Sequence, residues 1–151
     1  MVQYKKGNLL AADDVQIICH QVNTLGVMGA GIAKSIASAY PDCLEEYKRF
    51  CKNTPSSELL GQVYFYEGRD KAIANIFGQK TIGRNGLHTN YYALRAGLAS
   101  VCEYAKKTNN SVGIPYKIGC GLAGGDWNIV SQMIEEIFDG DNVTCYVYSL
   151  T

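Results

Sequence analysis

Two glycine-dense runs carry the residue types from which a binding chemistry can be read. Gly26-Val27-Met28-Gly29-Ala30-Gly31 follows an apolar stretch of strand length and leads into Ile32-Ala33-Lys34-Ser35-Ile36-Ala37, whose apolar positions recur three and four apart. Gly119-Cys120-Gly121-Leu122-Ala123-Gly124-Gly125-Asp126 stands in the same way before the last apolar-periodic stretch. At such strand-to-helix turns, backbone N–H groups and the positive end of the helix dipole make a nest for an anion. Either run alone also fits a tight turn. Their pairing in one small chain of alternating strands and helices points to a phosphate-bearing ligand. The Walker lysine and serine pattern is absent, and no acid about 20 residues beyond the first run is assigned to the ribose contact of a Rossmann loop.

Three side chains near these runs have reactive chemistry. Asp126 closes the second run, where its carboxylate can orient a water or cap the helix that follows. His20 precedes the first run and can act as a base near neutral pH, or can be a satisfied histidine within an apolar strand. Cys120 lies between glycines beside a helix start, the setting of an activated thiolate, but no adjacent histidine completes a cysteine pair and a packed loop residue is preferred. The six cysteines form no CxxC pair and meet no histidine at ligand spacing, so no metal site is expected. Most lie in apolar segments, as buried thiols in a reducing cytoplasm do.

These candidates need elements to position them. The 151 residues fit one domain, residues 1–151, large enough to bury about 70% of its extended surface without staples. Strands are predicted over Val15–His20, Gly61–Tyr66, Ala72–Phe77, Val112–Tyr116 and Val143–Tyr148. The second and third are separated by Glu67-Gly68-Arg69-Asp70 and form an antiparallel pair, which makes the sheet mixed. Helices are predicted from Ile32, from Pro41 to about Lys52, after a cap at Thr89, and over the stretch containing Ile129 and Ile137. Residues 78–88 are read as a loop. Fourteen basic and fourteen acidic side chains cancel, which argues against an extended nucleic-acid track or an anionic membrane surface. No apolar run approaches the roughly 20 residues of a spanning helix, and the first residues lack the core of a secretory signal, so a cytoplasmic monomer is expected.

The run His20-Gln21-Val22-Asn23-Thr24-Leu25-Gly26-Val27-Met28-Gly29-Ala30-Gly31-Ile32-Ala33, with Gly7-Asn8-Leu9-Leu10 before it and Ile118-Gly119-Cys120-Gly121-Leu122-Ala123-Gly124-Gly125-Asp126-Trp127 after it, resembles a macrodomain. It is most similar to the branch of the terminal ADP-ribose protein glycohydrolase, the DNA ADP-ribosyl glycohydrolases and the ADP-ribose-1''-phosphate phosphatases. The resemblance implies a three-layer α/β/α sandwich around a mixed sheet of about six strands. It also implies binding of ADP-ribose, free or carried by a protein or nucleic acid, with hydrolysis of the ADP-ribosyl linkage, no cofactor and no metal. Val27, Met28, Gly29, Ala30, Gly31 and Ile32 would enclose the diphosphate from one side, and Ile118, Gly119, Cys120, Gly121, Leu122, Ala123 and Gly124 from the other. Asn23 matches the position facing the distal ribose. Asn8 stands where Asp often reads the adenine amino group, and its oxygen can still accept that bond without full charge. Tyr148 would close the adenine side. Lys80 matches a lysine that serves relatives as nucleophile or cation at the distal ribose, with Arg84 in support. Asp126 would bond a ribose hydroxyl or aim water at the anomeric carbon. The terminal glycohydrolase carries its acid where this chain has Ala123. Two alternatives remain, an ADP-ribose reader without turnover and a phosphatase.

Overall fold

The apolar run after Val15 becomes the middle of the molecule because both of its faces are covered. In the computed structural model, which describes residues 2–140 and 142–151, this strand spans Ile17–Asn23, and Ile17, Ile18 and Cys19 have no exposed surface. A strand buried on both faces needs no polar alternation, so it reads as a continuous apolar run. In chain order the elements are β1 (Val2–Lys6), a 3-10 turn (Leu9–Ala11), β2 (Ile17–Asn23), α1 (Gly31–Ala39), α2 (Pro41–Asn53), α3 (Ser56–Leu59), β3 (Val63–Glu67), β4 (Ala72–Gln79), α4 (Tyr91–Thr108), β5 (Val112–Pro115), α5 (Trp127–Phe138) and β6 (Cys145–Ser149). They form one mixed sheet of order β1-β6-β5-β2-β4-β3, parallel throughout except for the antiparallel β3–β4 pair.

The pleat of β2 divides the core in two. Ile17 and Cys19 pack with Leu94 and Leu98 of α4 and with Val130 and Met133 of α5. Ile18 and Val22 face the other way, against Ile36 of α1 and Cys43 and Tyr47 of α2. This is the expected three-layer α/β/α sandwich with six strands. Among the described residues no helix is long and apolar enough to cross a membrane.

Several boundaries differ from the expectation. Val2–Lys6 is an edge strand that sequence pattern did not mark, because its partly exposed Val-Gln-Tyr-Lys-Lys run has no apolar alternation. Gly78 and Gln79 extend β4 by two residues beyond Phe77; a Cβ at Gly78 would lie 2.3 Å from the Gln21 side chain, so glycine here makes room for a neighbour and is no turn signal. The cap of α4 is Asn90, not Thr89: Asn90 Oδ1 accepts from the Ala93 amide at 3.0 Å, while the Thr89 hydroxyl turns inward and donates to Gly119 O. Pro41 does open α2 as its first helical residue.

His20 lies wholly within the α1–α2 side of the core, on the face of β2 that Ile18 and Val22 share. Its Nε2 is 2.6 Å from Asn75 Oδ1, and Asn75 Nδ2 donates to Tyr64 O. That donation fixes the amide orientation, so Nε2 carries the proton and Nδ1 has no partner among the described residues. Burial pushes the imidazole down to about 4, partly opposed by the Asn75 bond. The unfolded chain therefore takes up a proton near pH 6.5 that the folded chain refuses until about pH 4, and acidification through that window favours unfolding. Urea unfolding at pH 5 should give a stability lower by about 2 kcal/mol than at pH 7 from this group, and His20→Gln should flatten the dependence between those values.

Candidate functional site

The parallel strands deliver their carboxyl ends to one edge, where Asn23 of β2, Gln79 of β4, Pro115 of β5 and Tyr148 of β6 border a cleft of about 1120 Å³. Ligands of open α/β sheets bind outside these ends. The cleft's two long walls are the two glycine runs.

Asn23 builds the first wall. Its Oδ1 accepts from the Leu25 amide at 3.0 Å and the Val27 amide at 3.3 Å, its Nδ2 donates to Val27 O at 2.8 Å, and the buried Tyr47 hydroxyl sits 2.9 Å from Oδ1. Asn23 lines the cleft, but most of its hydrogen-bonding capacity shapes the loop, leaving one N–H to face a ligand. The chain then enters α1 at Gly31 with Ala30 as N-cap and no side-chain cap. The leading amides of α1 thus keep their donors free, and Gly29, Ala30, Gly31 and Ile32 all line the cleft. By contrast α4 and α5 are capped by Asn90 and Asp126.

In the second wall four peptides are tied down. Ile118 N donates to Pro115 O, Cys120 N to Lys117 O, Gly124 N to Gly121 O and Gly125 N to Gly119 O, all within 2.8–3.0 Å. Among the described residues no acceptor within the chain receives the amides of Gly121, Leu122 and Ala123, and these three residues line the cleft with Ile118 and Gly119. Three successive residues with unclaimed N–H groups thus share one cleft with the uncapped start of α1, an arrangement suited to an anion bearing more than one charge.

The side chains agree with that polarity. Arg84 and Lys117 line the cleft and, among the described residues, no Asp or Glu does, although acids and bases balance over the whole chain. At the far end lie Asn8, Leu9, Leu10 and Tyr148. Asn8 Oδ1 accepts from the Leu10 amide at 3.1 Å, and the Tyr148 hydroxyl donates to Asp14 Oδ1 at 2.6 Å. Lys5 lies 2.6 Å from the other Asp14 oxygen and, with Tyr148, holds the Asp14 carboxyl below its usual range.

The Macro domain family model matches residues 19–134, from the middle of β2 into α5. The chain belongs to the macrodomain family. A DNA ADP-ribosyl glycohydrolase of Thermus aquaticus is 30% identical over 98% of this chain and 41% of its own length. The human ADP-ribose glycohydrolase OARD1 is 26% identical over 99% of this chain and 91% of its own. The solved macrodomain of Mycobacterium tuberculosis DarG superposes with a TM-score of 0.82 at 30% identity, covering 98% and 97% of the two chains. This macrodomain spans about two fifths of the length of the curated relatives it matches first.

Six candidate residues of this macrodomain stand outside the cleft lining. His20 and Met28 belong to the core beneath the first loop. Cys120 packs half-buried beside α5, its Sγ 3.3 Å from Ile118 O; burial, then the Asp126 charge, pushes its thiol up to about 11, which is the opposite of activation. Gly124 lies against the backbone of Gly86. Lys80 is exposed at the rim, but its carbonyl accepts from the buried Thr24 hydroxyl at 3.1 Å, which ties its backbone to the start of the first loop. Asp126 is exposed, and its Oδ1 accepts from the Asn128 amide at 2.9 Å as the cap of α5. Gln21, Gln79, Ile82 and Tyr116 line the cleft without having been singled out, since their signal is only the strand end on which each sits or the glycine loop beside it.

The cap predicts a stability effect that is independent of any ligand. Asp126→Ala should lower the unfolding free energy by about 1 kcal/mol, and Asp126→Ser should recover most of it, as read by urea denaturation.

Proposed function

We propose that the cleft binds ADP-ribose and hydrolyses an ADP-ribosyl linkage to a protein carboxylate or a nucleobase. The observation that carries this reading is the convergence of two sets of backbone amides without an acceptor among the described residues, at the start of α1 and over Gly121–Ala123, on a cleft that no Asp or Glu side chain of those residues lines. A diphosphate matches that double set of donors, and a cleft of about 1120 Å³ has room for a nucleoside on one side and a second sugar on the other. The base would lie toward Asn8 and Tyr148, and the distal ribose toward Asn23 and the loop bearing Lys80. The relatives supply the choice of ligand: their names specify ADP-ribosyl linkages to DNA in one case and ADP-ribose in another.

In this reading Lys80 is the catalytic group. Its backbone is anchored to Thr24, one residue beyond Asn23, so a flexible amine or ammonium is tethered beside the distal sugar. It would serve as a nucleophile toward the opened sugar or as a cation opposite the departing group. Asp126 is the proposed acid, reaching the substrate while its other oxygen caps α5. One observation favours a second reading, that of an ADP-ribose reader: no Asp or Glu among the described residues lines the cleft, and Ala123 occupies the position at which the terminal glycohydrolase carries its acid.

The test offers the protein aspartate-linked ADP-ribosyl protein, ADP-ribosylated single-stranded DNA and ADP-ribose-1''-phosphate, with ADP-ribose binding measured by calorimetry. Turnover of either of the first two is expected, and Lys80→Ala should slow it by about 100-fold or more while binding persists. Binding without turnover on the whole panel would establish the reader, and phosphate release alone the phosphatase. No binding of ADP-ribose would overturn the reading altogether.

A further inference from the structure

The second glycine wall is held by a part-buried polar chain that no part of the ligand reading requires. Gln21, on the α4-facing side of β2, donates its Nε2 to Gln79 Oε1 at 2.9 Å and to Thr89 Oγ1 at 3.0 Å. Gln79 Nε2 in turn donates to Thr81 O at 2.9 Å, which fixes the Gln79 amide with its oxygen toward Gln21. The Gln21 amide orientation follows, and its Oε1 is left buried with no donor among the described residues. Thr89, only 4% exposed, passes the chain on: its hydroxyl donates to Gly119 O at 2.6 Å.

Two close approaches surround this arrangement. A Cβ at Gly78 would stand 2.3 Å from Gln21 Oε1, and one at Gly119, whose φ is +73°, would stand 3.0 Å from the same atom and 3.2 Å from Thr89 Oγ1. An unpaired buried acceptor opposes folding, so packing alone does not account for the amide. The chain ends on the second glycine run at the Gly119 carbonyl, which the Gly125 amide also reaches at 2.9 Å. Two donors thereby hold that carbonyl in toward the protein. In an anion-binding loop a carbonyl turned toward the ligand repels it, and N–H groups must point there instead.

We infer that Gln21 and Thr89 are positioning residues which clamp the Gly119 carbonyl inward, so that the Gly121–Ala123 amides stay presented to the distal phosphate and sugar of the ligand. This rests on the ADP-ribose reading for the identity of the ligand, but the clamp itself is a property of the free protein. Thr89→Val removes the donor with nearly unchanged shape, and Thr89→Ser restores it.

Thr89→Val should raise the Kd for ADP-ribose about tenfold, leave the Kd for AMP, which lacks the distal half, within about twofold, and lose the effect in Thr89→Ser. Hydrogen exchange of the ligand-free protein should accelerate within residues 119–125 and stay unchanged elsewhere. Equal weakening of both ligands, unchanged ADP-ribose affinity, or acceleration spread over the whole chain would overturn the clamp. If the unaltered protein bound no ADP-ribose, the ligand reading would fail while the exchange experiment still decided the clamp. Should Thr89→Val fail to fold, Thr89→Ala removes the same donor to Gly119 O without added bulk and carries the same readouts.

Discussion

Backbone N–H groups without an acceptor inside the chain are the constraint around which this macrodomain is arranged. A helix start leaves several such donors, and α4 and α5 quiet theirs with Asn90 and Asp126. The start of α1 has no such side chain, and the Gly121–Ala123 amides of the same cleft also lack an acceptor among the described residues. Donors of this kind need water or an anion, and placing both sets on one cleft makes the anion the better partner. Arg84 and Lys117 reinforce a polarity that the backbone already sets, which is how a chain of zero formal charge presents a locally positive site.

The rest of the fold keeps those donors aimed. The buried faces of β2 anchor the strand end from which the first loop departs, and Asn23 with Tyr47 shapes that loop from beneath. On the opposite face Gln21 and Thr89 reach the second loop. A single strand thus supports both walls, with His20 packed on one side of the sheet and Gln21 on the other. The buried imidazole and the unpaired amide oxygen each oppose folding, and both sit beneath the loops, where a rigid frame has most effect on the cleft.

Much of this was legible in the sequence. The sandwich followed from alternating periods, and both walls followed from glycine density at strand-to-helix junctions. Thirteen of the residues singled out for binding line the cleft, Asn8, Asn23, Gly121 and Tyr148 among them. What was not legible depends on three-dimensional partners. Gly78 read as loop because nothing in the local text reveals Gln21 packed against it. Thr89 read as a cap because its partner, Gly119, lies 30 residues away. Edge strand β1 lacked a pattern, having little buried surface to impose one.

The central claim is that the anion is held by backbone amides at both walls. The most direct measurement is an amide-resolved NMR titration of the protein with ADP-ribose. The account predicts that the largest shifts fall on the amides of Ile32, Ala33, Gly121, Leu122 and Ala123, and that they move together along one binding curve. Saturable binding that leaves those amides in place while shifting another surface would contradict it.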